Sequence, residues 1–444
     1  MSFPFSAHLC VRSNRLRIVS RITLVLSLFA NGAATAATQP LTLGQAQQQA
    51  LARSRQLNAQ DHAIAGARDM AIAAGQLPDP VLKAGIDNLP ISKEDRFSLT
   101  KDFMTMRRIG ISQELTRADK RQSRSARYDR EALKSEAQKD VIIAAIQRDT
   151  ATAWLERYYI EQMAALIAVQ ADQARHEIDA AAAAYRGGRG TQADMLAARS
   201  VLLLLDDRAS EIDRRLHVSR TMLARWTGAN DNTTLAGSPD IDNIRLDTAM
   251  LDKALAHHPK NTVLNRQEQV AQAEANVARA NQRPDWSVEV SLQQRGSAYS
   301  NMVSVGFSVP LQWDRKRRQD RELGAKLAMV EQTAAERDEM LREHVAETRA
   351  MIVQWRSGRE RISRYTSQLI PLSREQTQAV LARYRGGKAA LSEVLAARRN
   401  ETEVRMQAIE LQLDTSRLWA QLNFLFPEGE GVQHPNPLNP RDTQ

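Results

Sequence analysis

The chain has 444 residues, of which 43% are hydrophobic, many of them alanine, and only 5% aromatic. That leaves length for two or three domains but too few bulky side chains for large compact cores, so long helical structure fits better. The formal net charge of +9 owes four arginines to the first 36 residues, which hold no Asp or Glu, and the one cysteine, Cys10, also lies there, so the remainder has no disulfide.

In chain order, residues 1–36 read as a secretory signal: a basic stretch, the apolar run "ITLVLSLFA" from Ile22 to Ala30, then small residues with Ala34-Thr35-Ala36 as the cleavage site. No later stretch reaches the roughly 18 apolar residues of a membrane helix. A helix ends near Gln76, where "LPDP" turns the chain to an extended segment. A β-hairpin is expected over 80–115, with Leu82, Ala84 and Ile86 on one arm and Ile109 and Ile111 on the other. A helix follows from Ala118 to Arg186, which at about 1.5 Å per residue would extend on the order of 100 Å. A turn over 186–190 and a returning helix complete a first repeat, 37–228.

The polar segment 229–246 links this to a second repeat, 247–427, with the same landmarks in the same order. "AYRGGRGTQADMLAAR" (Ala184 to Arg199) recurs as "RYRGGKAALSEVLAAR" (Arg383 to Arg398) at an offset of 199 residues. "AAGQLPDP" answers to "RANQRPDW", and "IGISQEL" (Ile109 to Leu115) to "VGFSVPL" (Val305 to Leu311). The second hairpin is expected over 286–311, since Val288, Val290 and Leu292 alternate, as do Val303, Val305, Phe307, Val309 and Leu311. In the helix after it, a coiled-coil seam steps by four and three from Leu323 through Leu341, His344, Thr348, Trp355 and Tyr365 to Leu369, Leu372, Gln376, Ala379 and Arg383. A turn over 385–388, a returning helix and a polar tail, 428–444, end the chain.

In each repeat the double glycine, Gly187-Gly188 and Gly386-Gly387, supplies the positive φ that ends one helix before another runs back along it. The two hairpins make four strands of about membrane-crossing length. Four cannot close, and a sheet edge has no hydrogen-bond partners in hydrocarbon, so as membrane strands they require several chains to share one barrel. The other reading is two small periplasmic hairpins packed on helices; the signal and the rod-like helices favour the barrel.

This order of elements, with the tandem "YRGG…LAAR" turn and the "GISQEL" strand, resembles the TolC family of outer-membrane efflux channels from about Leu41 to Pro427. Through "LPDP", "RRIGISQEL" and the lack of a lipid-bearing cysteine it most resembles the heavy-metal cation efflux branch, typified by CzcC. The resemblance implies a mainly α fold with a small β part. By that resemblance, long antiparallel coiled-coil helices would form an α-barrel in the periplasm, four strands per chain would enter the outer membrane, and a homotrimer would make a twelve-stranded β-barrel. It also implies a channel carrying substrate, metal cations in this branch, from an inner-membrane pump of the resistance-nodulation-division type and a periplasmic adaptor (membrane fusion) protein to the outside. A soluble periplasmic adaptor or coiled-coil scaffold is the alternative; an adaptor normally has one helical hairpin and a β-rich domain.

Carried over by motif, Gly187, Gly188, Thr191, Gly386, Gly387 and Ser392 become the tip that docks the adaptor. Asp194, Glu393 and Tyr384 become the periplasmic gate, where three copies of Glu393 facing one axis would repel one another. Ala396 and Ala389 stand where the family has a second gate acid and a gate arginine. The plain reading of Asp194 and Glu393 is an acid in the first turn of a helix. The basic clusters Arg117 to Arg124 and Arg315 to Arg321 read as solvated helix faces, a nucleic-acid patch or collars at the outer-membrane lipid; export argues against nucleic acid. With no phosphate loop, no nucleophile elbow and scattered histidines such as His257-His258, no catalytic residue, cofactor or metal site is expected. "MTM" (Met104 to Met106) reads as packing.

Overall fold

The structure is a computed structural model that describes residues 40–230 and 232–428; the signal assigned to 1–36 and all but the first residue of the tail lie outside them. Thr42 opens α1 (Leu43–Arg53) with a capping box, its hydroxyl accepting from the Gln45 N–H at 3.3 Å while the Gln45 side chain accepts from Thr42 N–H at 3.0 Å. Ser54 ends α1 and caps α2 (Arg55–Ala74). After β1 (Val81–Asp87) and β2 (Met106–Leu115), α3 (Ala118–Arg186) runs unbroken for 69 residues and α4 (Gln192–Thr227) returns along it.

The second repeat begins with a short α5 (Leu251–Ala256) and α6 (Pro259–Asn281), which has proline at its first position and His258 as cap. There follow β3 (Trp286–Gln294), β4 (Met302–Ser308) and α7 (Gln319–Arg364). A π-turn over Tyr365–Leu369 leads into α8 (Ile370–Arg385), and α9 (Leu391–Asn423) returns. β4 stops three residues short of the expected Leu311, because Pro310 has no N–H to offer a ladder.

Apart from exposed Leu327, the expected seam is buried or half-buried from Leu323 through Trp355, which is 5% exposed, to Tyr365, but it does not continue beyond the π-turn. Buried positions there are Ser373 and Thr377, with Val380 and Tyr384 half-buried, each one residue later than the expected Leu372, Gln376, Ala379 and Arg383. Pro371 cannot donate to the helix ladder, and a π-turn takes in one extra residue, which moves every later side chain one position round the axis.

The main core lies mid-way along α3, where its Trp154, Leu155, Met163 and Ile167 gather with Leu223 near the end of α4, Trp355 of α7, and Met406 and Trp419 of α9. Three indoles there turn their N–H groups to carbonyls of the irregular segments that lead into the repeats. Trp154 donates to Leu41 at 3.0 Å, Trp355 to Ile241 at 3.0 Å and Trp419 to Asn243 at 2.7 Å. Buried Arg157 adds a bond to the Thr233 carbonyl. Loop backbone against an apolar core thus finds its hydrogen bonds, and the segment between the repeats is fastened to both.

The four strands form one antiparallel sheet in the order β1-β2-β3-β4, so the two hairpins join through β2 and β3. A row across it reads Leu82, Ile111, Val290, Val305, and the next reads Ala84, Ile109, Leu292, Val303. The register thus brings the apolar parity of all four strands to one face.

Candidate functional site

Two regions gather the residues that the sequence singles out, the sheet and the helix turns at the opposite end of α3. Hairpin alternation puts Leu82 and Phe307 on the apolar face, 68% and 70% exposed in the single chain. The other face is polar and internally paired: Lys83 reaches Glu289 at 2.6 Å, and Arg108 sits 3.2 Å from Asp87 and 3.7 Å from Glu289. A sheet in water normally buries its apolar face and wets its polar one, whereas here no described residue covers the apolar face. Among the described residues the edge strands β1 and β4 have no partner on their outer sides.

At the helix-side end of the sheet, Trp286 and Trp313 are both exposed, Trp313 at 89%. The sequence reading overlooked them, although amphipathic rings flanking an apolar band are what a membrane–water boundary favours, and their place beside each strand end was a usable signal. No helix among the described residues is long and apolar enough to cross a membrane.

The basic clusters below the sheet are partly ion-paired. Arg117 reaches Asp119 at 2.7 Å, Lys120 reaches Asp285 at 2.5 Å and Arg315 reaches Asp320 at 3.0 Å. Among the described residues no group of three or more metal-ligating side chains gathers. His258 instead caps α6 and meets His344 edge-on at 4.2 Å between ring centres.

At the other end, the two turns are near copies. The first glycine of each pair has ordinary φ, −83° at Gly187 and −81° at Gly386. Only the second is left-handed, +71° at Gly188 and +70° at Gly387. The next amide closes the turn in both, Arg189 N–H to the Ala184 carbonyl at 2.9 Å and Lys388 N–H to Arg383 at 2.8 Å. Ala181 of α3, Ala198 of α4, and Leu391, Val394 and Leu395 of α9 form a small core with Tyr384 at its margin, so both hairpins end side by side.

The glycines, Thr191 and Ser392 lie exposed around that core. Asp194 is held by its own helix: its carboxylate accepts from the Thr191 N–H at 2.9 Å and hydroxyl at 2.7 Å. Those bonds keep the acid below the usual carboxylate range. Glu393 likewise accepts from the Ala390 N–H at 3.1 Å and lies 3.5 Å from Arg383, but alanine at 390 cannot return the bond. The second turn therefore has half the cap of the first.

This fold, a sheet with one bare apolar face carried on paired helical hairpins in tandem repeats, is shared with solved outer-membrane channels. The family model for outer membrane efflux proteins matches residues 250–426, which is the second repeat. Among solved structures, the outer-membrane channel OprN superposes with a TM-score of 0.73 at 17% identity, covering 87% of this chain and 90% of its own. CusC, a protein that forms a transmembrane channel, gives 0.72 at 14% identity over 86% and 91%. The CmeC outer-membrane channel of Campylobacter jejuni gives 0.72 at 12% identity over 88% and 87%. Comparison with curated protein sequences gives no match.

Proposed function

We propose that the chain is the outer-membrane channel of an efflux system. The observation that carries this is the sheet: one face apolar and bare, the other charged and paired, with both edges open. Lipid covers the first face, water in a pore wets the second, and copies of the chain satisfy the edges, β1 of one against β4 of the next. Three copies make twelve strands. A soluble adaptor or scaffold gains nothing from such a sheet, which disfavours that alternative.

In this reading the helices line a conduit through the periplasm, and the tip around Gly187, Gly188, Thr191, Gly386, Gly387 and Ser392 docks a periplasmic adaptor that links it to an inner-membrane pump of the resistance-nodulation-division type. Left-handed glycines without side chains let a partner helix approach the backbone closely, which supports the assignment. Asp194, Glu393 and Tyr384 form the gate, with the half-capped second hairpin the more readily displaced of the two. Metal cations are the cargo we favour, on the resemblance of "LPDP" and "RRIGISQEL" to the cation-efflux branch.

The decisive experiment reconstitutes the purified protein in a planar bilayer, alongside Val305→Arg, which places a charge on the apolar face at about 2–4 kcal/mol. Discrete conductance steps from a heat-dissociable oligomer are expected of the wild type, and their loss in the variant. A monomer that stays in solution and passes no current sinks the proposal. Loss of metal tolerance, with unchanged tolerance of organic toxins, in a strain lacking the protein tests the cargo.

A further inference from the structure

Just below the sheet a groove of ≈ 450 Å³ opens between α2, α3 and α6. Arg124, Arg127 and Tyr128 line it from one side of α3, spaced as neighbours on a helix surface, and Met70, Leu77 and Pro78 face them. Among the described residues no carboxylate lines it. Arg127 is engaged by Glu274 at 3.3 Å and lies 4.7 Å from the centre of the Tyr128 ring. Arg124 makes no hydrogen bond or ion pair with a described residue; it has only the longer-range attraction of Asp285, whose carboxylate Lys120 already holds.

The groove continues the apolar face. Gln113 shares the strand parity of Ile109 and Ile111 and donates to the Pro78 carbonyl at 2.7 Å, which ties the Leu77-Pro78 wall to that side of the sheet. Arg124 lies six residues into α3, about 9 Å along the helix from its start. The headgroup layer on each side of a bilayer core is on the order of 5–8 Å thick, within reach of an arginine side chain from that depth. A guanidinium with no ion pair of its own, beneath an exposed apolar wall and near only acids that Lys120 and Lys326 already hold, suits one kind of ligand: a phosphodiester joined to hydrocarbon chains.

We infer that this groove is a binding site for one phospholipid of the periplasm-facing leaflet. Its phosphate accepts from Arg124, with Arg127 and the Tyr128 hydroxyl beside it, and its acyl chains rise over Leu77 and Pro78 onto the sheet. The inference rests on the membrane placement proposed above. It goes further in naming a discrete site where the charge pattern alone suggested only a general collar.

The test purifies full-length wild type, Arg124→Glu, Arg124→Lys and Leu77→Glu from membranes in mild detergent and counts retained phospholipid by native mass spectrometry. Oligomer stability and conductance are measured on the same samples. Wild type is expected to hold about one phospholipid per chain, Arg124→Glu and Leu77→Glu about tenfold less with oligomer and conductance intact, and Arg124→Lys most of it. Equal retention in wild type and Arg124→Glu, with conductance intact, overturns the site and leaves the channel standing. Displacement of the lipid by inorganic phosphate overturns it too, since the groove then takes a bare anion. A wild type that neither assembles nor conducts removes the channel reading itself.

Discussion

Lys120, in the first turn of α3, holds Asp285, the residue before β3, at 2.5 Å, with both side chains nearly buried at 12% and 10% exposure. Asp285 also accepts from the Arg117 N–H at 3.2 Å. The helix that leaves the first hairpin thereby clamps the point where the second hairpin starts, and the pair fixes where β3 meets β2.

Removing Lys120 leaves the Asp285 charge, nearly buried, with only the Arg117 N–H and the more distant Arg124 to offset it. Lys120→Ala is expected to cost about 3 kcal/mol, while Lys120→Met with Asp285→Leu recovers most of it. Thermal unfolding followed by circular dichroism measures both, and a double variant no better than the single would show that the clamp is not electrostatic.

The one-residue shift after the π-turn has a direct consequence on α8. Leu372 is 51% exposed and Thr377 only 4%, against the simple heptad. Leu372→Ser is expected to change stability by less than about 0.5 kcal/mol, whereas Thr377→Leu overpacks the contact with α9 at about 1–3 kcal/mol. The reverse ranking in urea unfolding would restore the uninterrupted seam.

At the tip, Gly387→Trp puts a bulky side chain on an exposed residue at φ +70° with nothing within 4 Å of a new Cβ. Room exists, so the cost is the left-handed backbone alone, on the order of 1 kcal/mol. The oligomer is expected to form in normal amount while export is abolished. Export by the variant at the wild-type rate would remove the docking role of this surface.

His258 makes stability depend on pH. Burial, then His344 and Lys260 nearby, push its pKa down to about 3 from an ordinary 6.5, and burial and Lys260 lower His344 in the same direction against the pull of Glu347. The unfolded chain therefore takes up the proton first. Stability is fully present above about pH 6.5 and declines as pH falls towards 3, by about 1.4 kcal/mol per unit for each proton so linked. His258→Asn keeps a capping side chain on α6 and should flatten the slope. Melting temperatures at pH 7.5 and 4.5 in both proteins check this, and parallel slopes would exonerate His258.

Much of the plan was legible because it depends on near neighbours. Alternation at Leu82, Ala84 and Ile86 gives strand and face together, since the period of a strand is two residues wherever its partner lies. The tandem glycines mark both turns because few other residues accept the left-handed conformation. At the tip, the acids Asp194 and Glu393 were legible as helix-start residues, but their differing caps follow from Thr191 against Ala390, a contrast visible only once the bonds are drawn.

Residue periods and the repeat, then, determined by themselves that this chain is two copies of a hairpin set on long paired helices, because those features arise from side chains within a few positions of each other. Tertiary structure alone decided that the two hairpins make one sheet, that Lys120 finds Asp285 165 residues away, that α8 runs one residue out of step, and that Arg124 faces an open apolar groove. The shift of α8 starts from a local cause, the π-turn before Pro371; the others depend on contact between segments far apart in the chain, where local preference is silent and packing chooses among arrangements the sequence pattern permits equally.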